Sequence, residues 1–233
     1  MKNAVRIDSF TQDESDSRVS LFEDLHITSI GLDFEKLAHG EGYRFVAGVD
    51  EVGRGCIAGP VVAAACILDG SKPLPKGLND SKKLSAAQRD EIAAELKEAS
   101  IAYSIGQIEA EEIDRINILE ATKNAMRAAI AGLTPNADYL LIDALQLKDI
   151  RLPQRAIIKG DSISASIAAA SILAKTFRDD LMKEYDLEYP HYGFAGHKGY
   201  GAVSHFAAIR EHGPCKLHRK SFRGVLAYSP ERL

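Results

Sequence analysis

Hydrophobic positions along the chain fall into short unbroken runs and into helically spaced sets, and these predict the order of elements. Tyr43 to Val49 has the pattern of a buried strand, and Val61 to Leu68 (VVAAACIL) is a second. The connection between them is a short glycine-rich loop, which predicts an antiparallel pair. A polar turn, Gly77 to Ser85, then precedes a helix over Ala86 to about Ala99, with Ile92, Ala93 and Leu96 on one face. The serine and aspartate of that turn are suited to cap the helix. Ile101 to Ile108 alternates as a third strand. One helix is predicted from about Ala110 to Ala131, through Ile113, Ile116, Leu119, Met126 and Ile130, and Gly132 and Pro135 stop it. Tyr139 to Ile142 predicts a fourth strand ending on Asp143, and Ala156 to Ile158 a fifth ending in Lys159, Gly160 and Asp161. The Ala/Ser-rich stretch that follows favours a helix whose small side chains let it lie close to a sheet. Beyond Pro190 the chain is turn-rich, and Ala202 to Glu211 again reads as helix.

Residues 1–42 mix Asp, Ser, Glu and Thr with scattered apolar positions. The first twenty are expected to be disordered, while Leu21, Phe22, Leu25, Ile30, Leu32, Phe34 and Leu37 suit short helices leaning on the domain. Gly40 and Gly42 form a hinge into the first strand, and no chemistry is expected in this part. The expected division is an N-terminal extension over 1–42, one α/β domain over 43–224, and a tail over 225–233.

Composition fits that division. A chain of 233 residues, 45% hydrophobic and 27% charged, suits one globular domain with appendages. No apolar run approaches the roughly 18 to 20 residues that span a bilayer, and the start lacks a basic-then-apolar secretory pattern. A cytoplasmic location without membrane contact is expected, and a monomer is the default. Cys56, Cys66 and Cys215 show no CxxC pairing and read as free thiols. The net charge of −4 hides a gradient: residues 1–45 carry −4 and residues 191–233 carry +5. A basic end beside carboxylates is compatible with phosphate contacts.

The three predicted strands that end on acids supply the chemistry: Asp50 with Glu51, Asp143, and Asp161. Neighbours on a regular strand point to opposite faces. Asp50 and Glu51 therefore share a site only if the strand twists or ends there, as the following glycines permit. Converging carboxylates raise one another's pKa values, and hard divalent cations remove the conflict. An all-oxygen site suits Mg²⁺ or Mn²⁺, and two such ions about 3.5 to 4 Å apart are the usual clamp for in-line phosphoryl displacement. Each acid also has a plain structural alternative. The DE pair could be a solvated turn, Asp143 a strand-end turn residue, and Asp161 the N-cap of the helix after it.

Five motifs taken together carry a resemblance: DEVGRG at 50–55, LNDSKKLS at 78–85, LID ending on Asp143, KGD at 159–161 ahead of SIAAASILAK, and HKGY at 197–200. In this order they resemble ribonuclease HII, the bacterial type 2 ribonuclease H, over about residues 44–224. Two positions depart from the family pattern: Cys56, where proline is common after GRG, and Ala144, where glycine often follows the third acid.

The resemblance implies a ribonuclease H-like fold, a mixed five-stranded sheet flanked by helices, with a helical C-terminal extension that helps bind substrate. It implies an endoribonuclease acting on the RNA strand of RNA–DNA hybrids and 5′ of single ribonucleotides in duplex DNA. Asp50, Glu51, Asp143 and Asp161 would hold two Mg²⁺ or Mn²⁺ ions, and the products would be 3′-hydroxyl and 5′-phosphate ends. Gly53, Arg54 and Gly55 match the family's reader of the 2′-hydroxyl, the group that marks a ribose. Tyr200 matches the tyrosine that stacks on the following deoxyribose. Asn79, Ser81 and Lys82 are candidate phosphate contacts, or alternatively a helix-capping turn. Lys198, His218, Arg219 and Lys220 read as solvated or backbone-steering charges.

Other classes compete less well. Another nuclease or integrase on the same fold shares strand-end acids but does not need both GRG and HKGY. A non-catalytic module that binds hybrids or phosphate is a further reading. GRGCIAGP lacks the GK[ST] ending of a P-loop, and His205, His212 and His218 lack zinc-ligand spacing such as HExxH.

Overall fold

In the computed structural model, which describes residues 29–226, one sheet is built from five strands. These are β1 (Val46–Val52), β2 (Val61–Ile67), β3 (Ala102–Ile108), β4 (Tyr139–Asp143) and β5 (Gln154–Ile157). Their order across the sheet is β3-β2-β1-β4-β5. The β1–β2 and β2–β3 pairs are antiparallel, whereas β1–β4 and β4–β5 are parallel. This is the mixed five-stranded arrangement that the resemblance implies.

Alternation along β2 sends side chains to two different layers. Ala63, Ala65 and Ile67 pack with Ala121, Ala125 and Met126 of α4 (Ile118–Ala131). Val62, Ala64 and Cys66 pack with Ile92 and Leu96 of α2 (Ala86–Ala99) and with Ala169 and Ile172 of α5 (Ala165–Glu188). Small residues on both sides allow close approach, and α5 lies directly over β1 and β2. A separate cluster joins α6 (Phe194–His197) and α7 (Val203–His212) to the loop after β1, through Phe194, Ile209, Ile57 and Ala58. No helix of the described residues is long and apolar enough to cross a membrane.

α1 (Asp33–Gly40) leans on the domain, as Leu32, Phe34 and Leu37 suggest. Its buried Glu35 caps the start of α5: one carboxylate oxygen accepts from Ser164 Oγ at 2.8 Å, Ser166 N at 2.9 Å and Ser166 Oγ at 2.6 Å. An anionic acceptor at a helix N-terminus is favourable. The disorder expected for the first twenty residues and the positions Leu21, Phe22 and Leu25 lie outside the described residues.

Several boundaries differ from the sequence expectation. β1 runs on through Asp50 and Glu51 to Val52, because pairing with β2 continues to Val52↔Val62. The single helix expected over 110–131 is two, α3 (Ala110–Ile116) and α4, broken at Asn117 with φ 71°. Hydrophobic spacing survives the break, so periodicity does not reveal it. Asn117 Oδ1 accepts from Leu119 N and Glu120 N at 3.0 and 3.1 Å, restarting the helix as its N-cap. Asn117→Ala is expected to cost about 1 kcal/mol or more in urea unfolding, and Asn117→Gly only a few tenths. No measurable loss in either would show that the cap contributes nothing. β5 ends at Ile157, and Ser164 rather than Asp161 caps α5, accepting from Ile167 N.

Candidate active site

The parallel pairing of β1 with β4 stops at Val49↔Ile142. Beyond it β1 follows β2 and β4 follows β5, to Asp143↔Ile157. The strands part at their C-terminal ends, where open α/β sheets present their sites. A cleft of about 340 Å³ opens there, lined by Asp50, Glu51 and Asp143 and by Gly53, Arg54 and Gly55. Ser81, Lys82 and Tyr200 close its other sides. Nine of the eleven residues predicted for the site thus border one space; Asn79 and Asp161 do not line it. Asn79 is exposed, with Oδ1 accepting from Asp80 N at 2.9 Å, which is the turn-forming alternative.

Asp50 and Glu51 share the cleft although both lie within the strand. Asp50 is 5% exposed on the α5 side, and Glu51 N donates to its Oδ1 at 2.7 Å. Burial pushes the Asp50 carboxyl well above the usual range, and the Glu51 and Asp143 charges add to this. A hydrogen bond from Ser171 on α5 pulls the other way. Burial also raises Glu51, against the nearby Arg54, whose NH1 donates to Glu51 Oε1 at 3.1 Å. Asp143 is raised by burial and by Asp161, while Gly160 N, donating to Oδ1 at 2.7 Å, and Lys82 lower it.

Asp161 sits in a 3-10 turn, Gly160–Ser162, entered through Lys159 at φ 57°. It is 5% exposed, and Lys82 Nζ donates to its Oδ2 at 3.0 Å. That contact raises the Lys82 ammonium above its ordinary value. Lys82 and Arg54 therefore act as counter-cations to two of the four acids. Among the described residues no three His, Cys, Asp or Glu side chains already stand as a closed ligand set. The donors nevertheless suit a hard cation: all are carboxylate oxygens, the Asp143 charge raises Asp50 and Glu51, and Glu51 Oε2 is buried without a hydrogen-bond partner.

The glycine loop divides in two. A Cβ at Gly53 (φ 90°) would stand 2.3 Å from Arg178 Nε, so this glycine faces the interior. A Cβ at Gly55 would meet nothing within 4 Å, so bare backbone faces open space there. Cys56 is buried, with its N–H donating to Gly53 O at 3.3 Å, a bond that proline could not make. Ala144, the other departure from the family pattern, has φ 50°, where glycine carries no steric penalty. Tyr200 is 45% exposed at the rim. The C-terminal charges need correction. His218 and Arg219 are 1% and 0% exposed, not solvated, because His218 pairs with His205 (Nε2 to Nε2, 3.1 Å) and Arg219 donates to loop carbonyls.

A family model described as Ribonuclease HII matches residues 47–225. The chain belongs to the ribonuclease HII family. Ribonucleases HII are metal-dependent endoribonucleases that cleave RNA in RNA–DNA hybrids and at ribonucleotides embedded in DNA. The ribonuclease HII of Chlamydia caviae is 57% identical over 193 residues, 82% of this chain and 90% of that one. Among solved structures, the ribonuclease H2 of Pyrococcus horikoshii OT3 is similar with a TM-score of 0.67 at 24% identity. The match covers 81% of this chain and 98% of that one, and shows the shared fold. Bst-RNase HIII in complex with Mn²⁺ gives a TM-score of 0.61 at 22% identity, covering 84% of this chain and 73% of that one.

Within this ribonuclease HII cleft, sequence reasoning missed two lining residues on α5, Ser171 and Lys175. Ser171 Oγ lies 3.0 Å from Ser81 Oγ, and Lys175 Nζ donates to Asp179 Oδ1 at 2.7 Å. The available signal was helical spacing: the two are four residues apart and so share a face.

Proposed function

We propose that Asp50, Glu51, Asp143 and Asp161 hold two Mg²⁺ or Mn²⁺ ions and that the chain cuts on the 5′ side of a lone ribonucleotide in duplex DNA. The observation that carries this reading is the single cleft joining three of the acids to Gly53–Gly55 and Tyr200. The Mn²⁺ complex of Bst-RNase HIII supports the choice of ion. The four carboxylates would hold the ions, which would supply the Lewis acidity for a hydrolysis giving 3′-hydroxyl and 5′-phosphate ends.

The chain's own residues do the rest. Asp50 and Asp143 are pre-oriented by Glu51 N and Gly160 N, each of which donates to one carboxylate oxygen. The Gly55 backbone, open to the cleft, suits close approach to a ribose 2′-hydroxyl. Tyr200 offers a flat face at the rim for the next sugar. Lys82 and Lys175 put ammonium groups where phosphates would pass. Three free cysteines fit a reducing compartment such as the cytoplasm.

The test is a nicking assay with Mg²⁺ or Mn²⁺ on a duplex carrying one ribonucleotide. Incision on its 5′ side, with all-DNA duplex left intact, is expected; equal cutting of both, or full activity in excess chelator, overturns the reading. A second outcome concerns the rim. Tyr200→Ala is expected to lower kcat/KM on the lone ribonucleotide about tenfold or more, as lost aromatic stacking does, while Mn²⁺ affinity stays within about twofold. Arg54→Ala cannot separate the two properties as cleanly, because Arg54 is paired with Glu51.

A further inference from the structure

Two arginines, Arg178 on α5 and Arg219 near the C-terminus, are each 0% exposed. Burying a guanidinium costs several kcal/mol unless its donors are met. Arg178 meets its own with main-chain carbonyls from two distant segments. Nε donates to Pro60 O at 3.0 Å and NH2 to Ala58 O at 3.1 Å, both in the loop that follows GRG. NH1 donates to Lys198 O at 2.8 Å, in the HKGY turn. We propose that Arg178 is a positioning residue for junction selection, fixing the GRG loop and the HKGY turn at one spacing so that Gly53–Gly55 and Tyr200 engage successive sugars. The proposal rests on the reading of those residues as sugar readers.

Packing around Arg178 leaves little room for the two segments to slide. Its Nε would be struck by any Cβ at Gly53, so the guanidinium lies directly against the reader loop. Gly199 O accepts from Ile57 N at 2.9 Å and Ala58 N at 3.3 Å, and a Cβ at Gly199 would stand 2.4 Å from Ala58 O. Cys56 Sγ donates to the same Lys198 carbonyl at 3.6 Å. A planar guanidinium holds three carbonyls in fixed directions, which the single nitrogen of lysine cannot reproduce. Arg178 also belongs to α5, the helix that supplies Ser171 to Asp50, so the spacing of the readers is referred to the acids.

Arg219 is the built-in contrast. Its Nε donates to Gly59 O at 3.0 Å and its NH1 to Arg54 O at 3.0 Å. Those bonds hold the GRG loop to the C-terminal segment without reaching the HKGY turn.

The experiment compares kcat/KM on duplex DNA with one ribonucleotide and on a continuous RNA–DNA hybrid, using the full chain with Mn²⁺. Arg178→Lys, Arg219→Lys, Gly199→Ala and Tyr200→Ala are measured beside the parent, with melting curves and Mn²⁺ titration. Arg178→Lys is expected to lower the ratio of the two values about tenfold, the effect of losing one charge-assisted hydrogen bond, with Mn²⁺ affinity within about twofold. Arg219→Lys lowers both values alike and leaves the ratio. Gly199→Ala pushes the same two segments apart from the other side and shifts the ratio as Arg178→Lys does, and it decides the matter if Arg178→Lys does not fold. Wild-type ratios in both variants, with a lowered ratio in Tyr200→Ala, overturn the proposal alone. An unchanged ratio in Tyr200→Ala as well overturns the sugar-reader reading and the proposal with it.

Discussion

Asp50→Asn is expected to lower kcat at least about a thousandfold, equivalent to about 4 kcal/mol of transition-state stabilisation, and to raise the melting temperature of the metal-free protein. The two effects share a cause. Asp50 is buried beside Glu51 and Asp143, and burial first, then those two charges, raise its pKa. A carboxyl whose folded pKa exceeds its unfolded value of about 4 favours folding most when protonated. That contribution is fully present below the unfolded value and is lost as pH rises through the folded one. The ionised form therefore opposes folding relative to the protonated one, and a neutral amide of the same shape removes that opposition while keeping a partner for Ser171. Bound Mn²⁺ offsets the same repulsion in the parent, so the ion should raise its melting temperature more than that of the variant. Calorimetry in chelator and in Mn²⁺, between pH 5 and 8, measures both. A variant that melts below the parent in chelator and still cleaves at close to the parental rate would remove Asp50 from the ligand set.

Local pattern made most of the fold legible. Short apolar runs, the alternation of the third strand and glycine punctuation placed the five strands within about three residues, and the Ser85 cap fixed the start of α2. The acids were legible because each follows an apolar run, and the family motifs then grouped them. What stayed hidden depends on contacts between distant segments. Asp161 was expected at a strand end, but it sits in a 3-10 turn held by Gly160 N on Asp143 and by Lys82 from another loop. Arg219 read as a solvated or backbone-steering charge because burying a cation is normally unfavourable, and the carbonyls that repay it come from residues far along the chain. The break at Asn117 was invisible because apolar spacing continues across it, even though the residue itself is a favoured cap.

Gly48, inside the stretch that delivers Asp50 and Glu51, is the second position where a large effect is expected. An added Cβ would lie 2.0 Å from Ser166 C and 2.3 Å from both Ser166 O and Ile167 N. That is roughly 1.5 Å inside the C···C contact of about 3.5 Å, with backbone on both sides and no side chain to rotate away. Gly48→Ala must therefore shift the first turn of α5, against the Glu35 bonds that hold Ser164 and Ser166. A loss of about 3 kcal/mol is expected, which lowers the melting temperature by about 6 to 12 °C for a chain of this size. The same shift carries Asp161, three residues before the Ser164 cap, away from Asp143. A displacement near 1 Å at a reacting centre costs on the order of a hundredfold, so kcat per folded molecule should also fall. Gly106→Ala separates the two effects. Its Cβ would strike Ala125 O at 2.2 Å on α4, across the sheet from Asp161. It should therefore destabilise to a similar extent while leaving kcat per folded molecule near the parental value. Equal losses of kcat in both variants would mean that the acids tolerate movement of α5, and that Gly48 serves packing alone.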